Sequence, residues 1–188
     1  MLLNGVRKAA IAIPREDGRG ERERSMAVSL RESVQLVSEP RNLDASVEEV
    51  FQMMLGVKCR RAAQPAVRQL DAESVTAVVG FGGLLSGACV FSTGAAGAKT
   101  IAAQMTGMEF TEIDDTVKDG IGELCNMLAG SWKGKVPELA ANCGLSVPAV
   151  ITGHDYNLHV QAPEFKLCHS YHFDGTSFDV TIICDGLQ

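Results

Sequence analysis

Residues 114–136 read DDTVKDGIGELCNMLAGSWKGKV, a spacing that predicts one long helix with a buried face and a polar face. A helix turns by about 100° per residue. On that wheel the apolar residues fall in a single arc that would pack against a core: Val117, Ile121, Leu124, Cys125, Leu128 and Trp132. The helix therefore has a defined inner side and a defined outer side.

The outer arc of this helix collects Asp119, Glu123, Asn126, Gly130 and Lys133. Glu123 and Asn126 stand three positions apart, so their side chains project together from neighbouring turns. Composition and spacing alone leave two explanations open, a solvated polar face and a functional one.

Glycine is unusually frequent within the same helix, at positions 120, 122, 130 and 134. Each glycine costs about 1 kcal/mol relative to alanine inside a helix. A close approach by another backbone, from this chain or from a partner, would explain that cost.

Strand and helix patterns alternate before this helix. Residues 73–81 alternate between apolar and polar side chains, which predicts a strand with Val75, Ala77, Val79 and Phe81 on one face and Ser74 and Thr76 on the other. Gly82-Gly83 then permits a tight turn into a second strand over 84–92. Residues 94–107 predict a helix of small residues, and residues 44–55 predict another that Asp44 caps and Gly56 ends.

Four strands are predicted after the helix, over residues 145–152, 156–162, 165–173 and 178–184, with a turn at Asp174-Gly175. The sum is an α/β (α+β) fold in which helices pack on a largely antiparallel sheet. We expect one domain over residues 41–188. Residues 1–40 include PREDGRGERERS and predict a poorly ordered extension, and a true start at Met26 is a second possibility.

Composition excludes several functions. A net charge of −6 gives no basic footprint for nucleic acid and no attraction to an anionic membrane. No run is long and apolar enough to span a membrane, and no secretory signal is seen. The six cysteines have no CxxC spacing, so neither a zinc site nor a thioredoxin-like motif is expected. Most of them stand among apolar residues, which indicates reduced, buried thiols in a cytoplasmic protein. STGAAGAKT at 92–100 has the wrong spacing for a phosphate-binding loop, and the four histidines fall on different elements, so no metal site is expected.

Residues 82–130, with Pro148, closely resemble the CheC/CheX/FliY family of chemotaxis response-regulator phosphatases. That family carries Asp or Ser, three residues, Glu, two residues and Asn, and then Pro about 22 residues later. Asp119, Glu123 and Asn126 match in order and spacing, and 21 residues separate Asn126 from Pro148. The resemblance extends over about residues 42–185 in element order.

The resemblance implies hydrolysis of an aspartyl phosphate in a CheY-like response regulator, in chemotaxis or another two-component pathway. Asn126 would orient the attacking water, and Glu123 would pair with a lysine of the receiver domain. Asp119, Gly130 and Lys133 would contact the same partner. The chain itself would need no cofactor or metal, because Mg²⁺ would come with the receiver. The alternative is a non-catalytic module that docks a receiver through the same helix.

An internal echo of the signature occurs about 75 residues earlier, at Asp44, Glu48 and Phe51. Phe51 stands where an amide would be needed, so we expect a single site, as in the CheX type. Relatives of that type are dimers, and strands 156–162 and 178–184 are expected to offer a sheet edge for pairing. From Tyr156 onward, Lys166 and Pro163 are the only lysine and proline that could oppose it.

Overall fold

A computed structural model describes residues 38–63, 73–154, 156 and 163–187. The helices are α1 (Pro40–Leu55), α2 (Ala95–Thr106), α3 (Asp115–Gly134) and α4 (Pro137–Asn142). The strands are β1 (Arg60–Arg61), β2 (Ser74–Gly83), β3 (Leu85–Gly94), β4 (Cys143–Leu145), β5 (Ala149–Gly153), β6 (Phe165–Phe173) and β7 (Thr176–Leu187). Residues 1–37 of the N-terminal extension, and the predicted strand at 156–162 apart from Tyr156, lie outside the described residues.

All seven described strands form one antiparallel sheet in the order β1-β6-β7-β3-β2-β4, with β5 also pairing with β2. This confirms the predicted fold class. Counted from either edge of the sheet, a short strand is followed by a two-stranded hairpin. The two hairpins meet at the centre, where β7 lies beside β3. β7 therefore pairs on both sides, and the expectation that residues 178–184 offer a sheet edge is wrong.

The core lies between the helices and one face of the sheet. The face of β2 predicted to point inward, Val75, Ala77, Val79 and Phe81, is buried, and it joins the apolar face of α3 in a single cluster. Phe51 of α1 stacks on Phe178 of β7 with ring centroids 4.4 Å apart. The other β2 face is not simply solvated: Thr76 is also buried, and its hydroxyl lies 2.6 Å from that of Ser92.

Helix α1 begins four residues before the predicted start. Glu39 stands at the N-cap and Pro40 at the first helical position, where proline's missing N–H costs nothing. Asp44, predicted as the cap, lies inside the helix and serves a tertiary contact instead. Its carboxylate accepts hydrogen bonds from the Tyr171 hydroxyl at 2.8 Å and from the Arg61 guanidinium at 3.2 Å. The predicted end at Gly56 is confirmed, with φ at +70°.

The strand predicted over 145–152 is in fact two strands separated by residues 146–148. Pro148 has no N–H for a sheet ladder. Ser146 meanwhile turns to Gly80 of β2, giving its backbone N–H to the Gly80 carbonyl at 2.9 Å and accepting the Gly80 N–H on its hydroxyl at 2.8 Å. The short elements β1 and α4 were not predicted, because two and six residues are too few to show a period.

Candidate active site

Helix α3 starts and ends where its sequence predicts. The Asp114 side chain accepts the backbone N–H of Val117 at 2.9 Å, which satisfies one of the free donors at the helix start. The helix ends at Gly134, and Pro137 opens α4 two residues after Lys135. These signals fix which residues stand on each turn of α3.

The inner face of α3 is anchored so that the helix has one rotational setting. Its predicted apolar residues are all buried, and the Cys125 thiol points to the Ala77 and Cys89 carbonyl oxygens at 3.5 and 3.6 Å. Since Cys125 directly precedes Asn126, this anchor also holds the backbone that presents the amide. The outer face is thus displayed by a rigid support.

The outer face brings the predicted site residues together. Asp119 and Glu123 are exposed, and Asn126 and Gly130 are half-buried. Within the described part of the chain, the Glu123 carboxylate and the Asn126 amide make no hydrogen bond or ion pair with other side chains. The pair therefore offers an acceptor-only group and a donor–acceptor group to a partner from outside.

Lys133 is placed differently from the other outer-face residues. Its ammonium donates a hydrogen bond to the Ala140 carbonyl of α4 at 3.0 Å. The lysine thus reaches toward α4, and stands at the margin of the face rather than beside Glu123.

Two of the helix glycines have a packing reason inside this chain. A Cβ at Gly122 would lie 3.3 Å from the Pro148 Cβ and 3.4 Å from a Val150 methyl, so the segment after β4 approaches α3 there. A Cβ at Gly120 would lie 3.6 Å from the Met105 sulfur of α2. Around Gly130 only the Leu145 side chain comes as near as 4.0 Å, and around Gly134 there is open space among the described atoms; nothing in the structure explains Gly134.

The internal echo is real, but its register differs from the predicted one by one residue. Phe51 is fully buried, so it corresponds to Cys125 and not to Asn126. Aligned by burial, EVFQMMLG (residues 49–56) lies over ELCNMLAG (residues 123–130). Glu49 then matches Glu123 and Gln52 matches Asn126. Comparing the buried positions of the two predicted helices, rather than their acidic residues, would have given this alignment from the sequence.

Glu49 differs from Glu123 in being engaged within the protein. Its carboxylate accepts hydrogen bonds from the Lys135 ammonium at 2.5 Å and from the Ser131 hydroxyl at 3.1 Å. These two contacts, Lys135 first, hold the pKa of Glu49 below its usual value. The α1 copy of the motif therefore ties α1 to the end of α3. Phe51 is not the residue that distinguishes the two copies, and the single site stays a prediction.

The remaining candidates show no catalytic arrangement among the described residues. Cys89, Cys125, Cys143 and Cys184 are buried and Cys168 is exposed, all as free thiols. His169 is buried against Asp44 at 3.0 Å, and His172 contacts the Ser177 hydroxyl. No group of three or more metal-binding side chains occurs in the ranges that the structure covers. Nor does any helix within those ranges have the length and apolar character needed to cross a membrane.

Comparison with known proteins gives consistent findings. The family model for the chemotaxis phosphatase CheX matches residues 75–173, which include α3 and the loop around Pro148. The CheY-P phosphatase CheX of Thermotoga maritima is 30% identical over 118 residues, covering 62% of this chain and 76% of the relative.

Solved structures share the fold. CheX from Vibrio vulnificus superposes with a TM-score of 0.65 at 18% identity, covering 77% of this chain and 97% of that protein. A CheX–CheY–BeF₃–Mg²⁺ complex from Borrelia burgdorferi gives a TM-score of 0.61 at 19% identity, covering 80% of this chain and 99% of the matched chain. At these identities the likeness concerns the sheet and its helices, not individual side chains.

Proposed function

Since the chain belongs to the chemotaxis phosphatase CheX family, we propose that it hydrolyses the aspartyl phosphate of a CheY-like receiver domain with Glu123 and Asn126. The observation that carries the residue assignment is the outer face of α3. A carboxylate and an amide stand there on adjacent turns, on an anchored helix, with no partner among the described side chains. The same two residues belong to the family signature, of which Pro148 is the last residue.

Asn126 positions the attacking water. Its carboxamide oxygen accepts one hydrogen of the water, so that the water oxygen is aimed at phosphorus opposite the aspartyl oxygen. The new phosphorus–oxygen bond forms as the bond to the aspartyl oxygen breaks, leaving a free aspartate. Both water hydrogens leave with the phosphate. Orientation is the main task left to the protein in such transfers.

Glu123 sets the register of the two proteins. Its exposed carboxylate pairs with the active-site lysine of the receiver, which places Asn126 over the phosphoryl group. A charge pair at a contact mainly contributes alignment and specificity. Mg²⁺ is part of the receiver substrate in this proposal, and the chain itself supplies no metal ligand.

Three further residues of the same face contact the receiver and contribute less to its binding. Asp119 lies one turn before Glu123 and extends the acidic surface. Among the described residues, one side chain comes within 4.0 Å of a Cβ placed at Gly130, which leaves room for the partner backbone. Lys133, bonded to α4, marks the edge of the contact.

Phosphate release from a phosphorylated receiver domain tests the proposal. The purified chain should speed release when added in catalytic amounts. Binding to the phosphorylated receiver without faster release would instead indicate the non-catalytic docking module. Neither binding nor release with any receiver of the source organism would overturn both.

Assembly and location complete the proposal. We expect the protein to lie in the cytoplasm, where phosphorylated response regulators of two-component pathways occur. We also expect a homodimer joined through a sheet edge. β1 pairs only with the end of β6, at Tyr171 and His172, so the earlier part of β6 is not covered by β1. Light scattering at micromolar concentration should give about twice the 20.0 kDa chain mass; a mass near one chain would overturn the dimer.

A further inference from the structure

The segment between β4 and β5 runs along α3, beside the proposed catalytic amide. Leu145 approaches Gly130, and Pro148 packs on Gly122, so the segment runs antiparallel to the helix. Asn126 lies midway between those two glycines. Residues 146 and 147 are therefore level with the turn that carries Asn126.

This segment is held in place from both ends. Ser146 exchanges two hydrogen bonds with Gly80 of β2, and its hydroxyl donates to the Val147 carbonyl at 2.9 Å. On the other side, the Pro148 ring rests against the helix where Gly122 has no side chain. The backbone at Val147 is thus fixed relative to α3.

Val147 projects from this fixed segment into solvent. Four large apolar side chains are exposed in the described chain, and Val147 is the most exposed of them at 86%. It contributes almost no burial to this fold. Single exposed apolar side chains are common on protein surfaces. Val147 is distinguished by its place, since its backbone is fixed level with the turn that carries Asn126, where a bound receiver would cover it.

We propose that Val147 is a receiver-binding residue that sets affinity and specificity at the α3 site, an inference that rests on the function proposed above. A receiver seated on Glu123 and Asn126 extends past the edge of α3 and covers Val147 with an apolar patch near its phosphorylation site. Burying most of one valine side chain corresponds to about tenfold in affinity. Val147 takes no part in the chemistry, so it acts on binding and not on the rate of the bound complex.

The test compares Val147→Ser with Ile151→Ser. Ile151 is a matched control because it is also β-branched and exposed, at 40%, yet it lies on β5 one position from Val150, which faces α3, and so points to the opposite sheet face. Binding is measured with a receiver held in its active form by beryllofluoride and Mg²⁺. Turnover is measured on the phosphorylated receiver.

Val147→Ser should raise the Kd about five- to tenfold with kcat within twofold, and Val147→Ile should restore the wild-type Kd. Ile151→Ser should leave the Kd within twofold. A wild-type Kd for Val147→Ser, or a loss confined to kcat, would overturn this inference while leaving the phosphatase function in place. A wild-type chain that neither binds nor dephosphorylates the receiver would overturn both.

Discussion

Helices α1 and α3 carry two copies of one motif, and the carboxylate of only one copy is bonded to other side chains among the described residues. Both helices present a glutamate and an amide three residues apart, and both bury the two residues between them. In α3 the glutamate has no partner among the described side chains. In α1 the matching Glu49 is bonded to Lys135 and Ser131 of the α3 region. In the function proposed above, presenting the motif is therefore not sufficient, because its carboxylate must also be left free to pair with the receiver lysine.

The surroundings of the two copies differ as well. Gly122 on α3 is covered by Pro148, whereas the matching Glu48 on α1 is exposed. The free copy is therefore the one with a rigid segment packed alongside. The amides also differ in length, since the Gln52 side chain has one more methylene than that of Asn126.

Substituting the outer-face amides should change the rate of dephosphorylation most. Asn126→Ala should lower kcat for receiver dephosphorylation at least about 100-fold, the scale for losing one positioned polar group in a reaction site. The matched variant Gln52→Ala should stay within twofold of wild type. A quenched-flow or phosphate-release assay measures both. A loss of only about half of the activity in each variant would mean that α1 is a second active copy.

Substituting the two glutamates should give a smaller difference in kcat/KM than substituting the two amides gives in kcat. Glu123→Ala should lower kcat/KM about 30-fold, mostly through KM, because the receiver lysine loses its partner at a close contact. Glu49→Ala should change kcat/KM less than threefold. Titration of the activated receiver gives Kd separately. If Glu123→Ala left the Kd unchanged and reduced kcat alone, its assignment to docking would be wrong.

The two helices should also differ in how a leucine directly before the motif glutamate changes the free energy of unfolding. Gly122→Leu forces a side chain against Pro148 and Val150, an overpacking of about 1–3 kcal/mol, offset by about 0.8 kcal/mol of helix propensity. We expect a net loss of about 1 kcal/mol. Glu48→Leu, at the matching exposed position, should change the free energy of unfolding by less than about 0.5 kcal/mol. Urea unfolding monitored by circular dichroism measures both.

The smallest effect is the pH dependence of the Glu49 contact. Its pKa is lower in the folded chain than in the unfolded chain, so its stabilising contribution is present above the unfolded pKa. That contribution is lost as the pH falls through the folded value. Because both side chains are partly exposed, a few tenths of a kcal/mol are expected. Between about pH 6 and pH 3, Glu49→Gln should therefore lose slightly less stability than wild type. A larger loss in the variant would contradict the assignment.

The sequence predicts most of this molecule because its long elements are strongly periodic. The apolar arc of α3 and the alternation in β2 each predict the buried face that the structure shows. The grouping of Glu123 and Asn126 also follows from helical geometry alone. These features depend on local spacing, which a sequence contains in full.

The errors arise where tertiary contacts decide. Asp44 looks like a helix cap, but a hydrogen bond from Tyr171, distant in sequence, gives it another role. The break at residues 146–148 depends on Ser146 meeting Gly80. The engagement of Glu49 depends on where the end of α3 lies. In each case the outcome depends on a contact with a residue that is distant in sequence. A rule based on local spacing cannot identify that residue.

The central pairing of β3 with β7 has a consequence for how the chain is made. Leu85–Thr93 pair with Phe178–Leu187, so the middle of the sheet joins segments that leave the ribosome far apart in time. Until β7 has emerged, the inner edges of β3 and β6 have no neighbour, and contacts of such long sequence separation form slowly. The nascent chain therefore carries the β2–β3 hairpin and strand β6 with unpaired inner edges until nearly all of the described domain has been synthesised, an interval in which chaperones would limit aggregation.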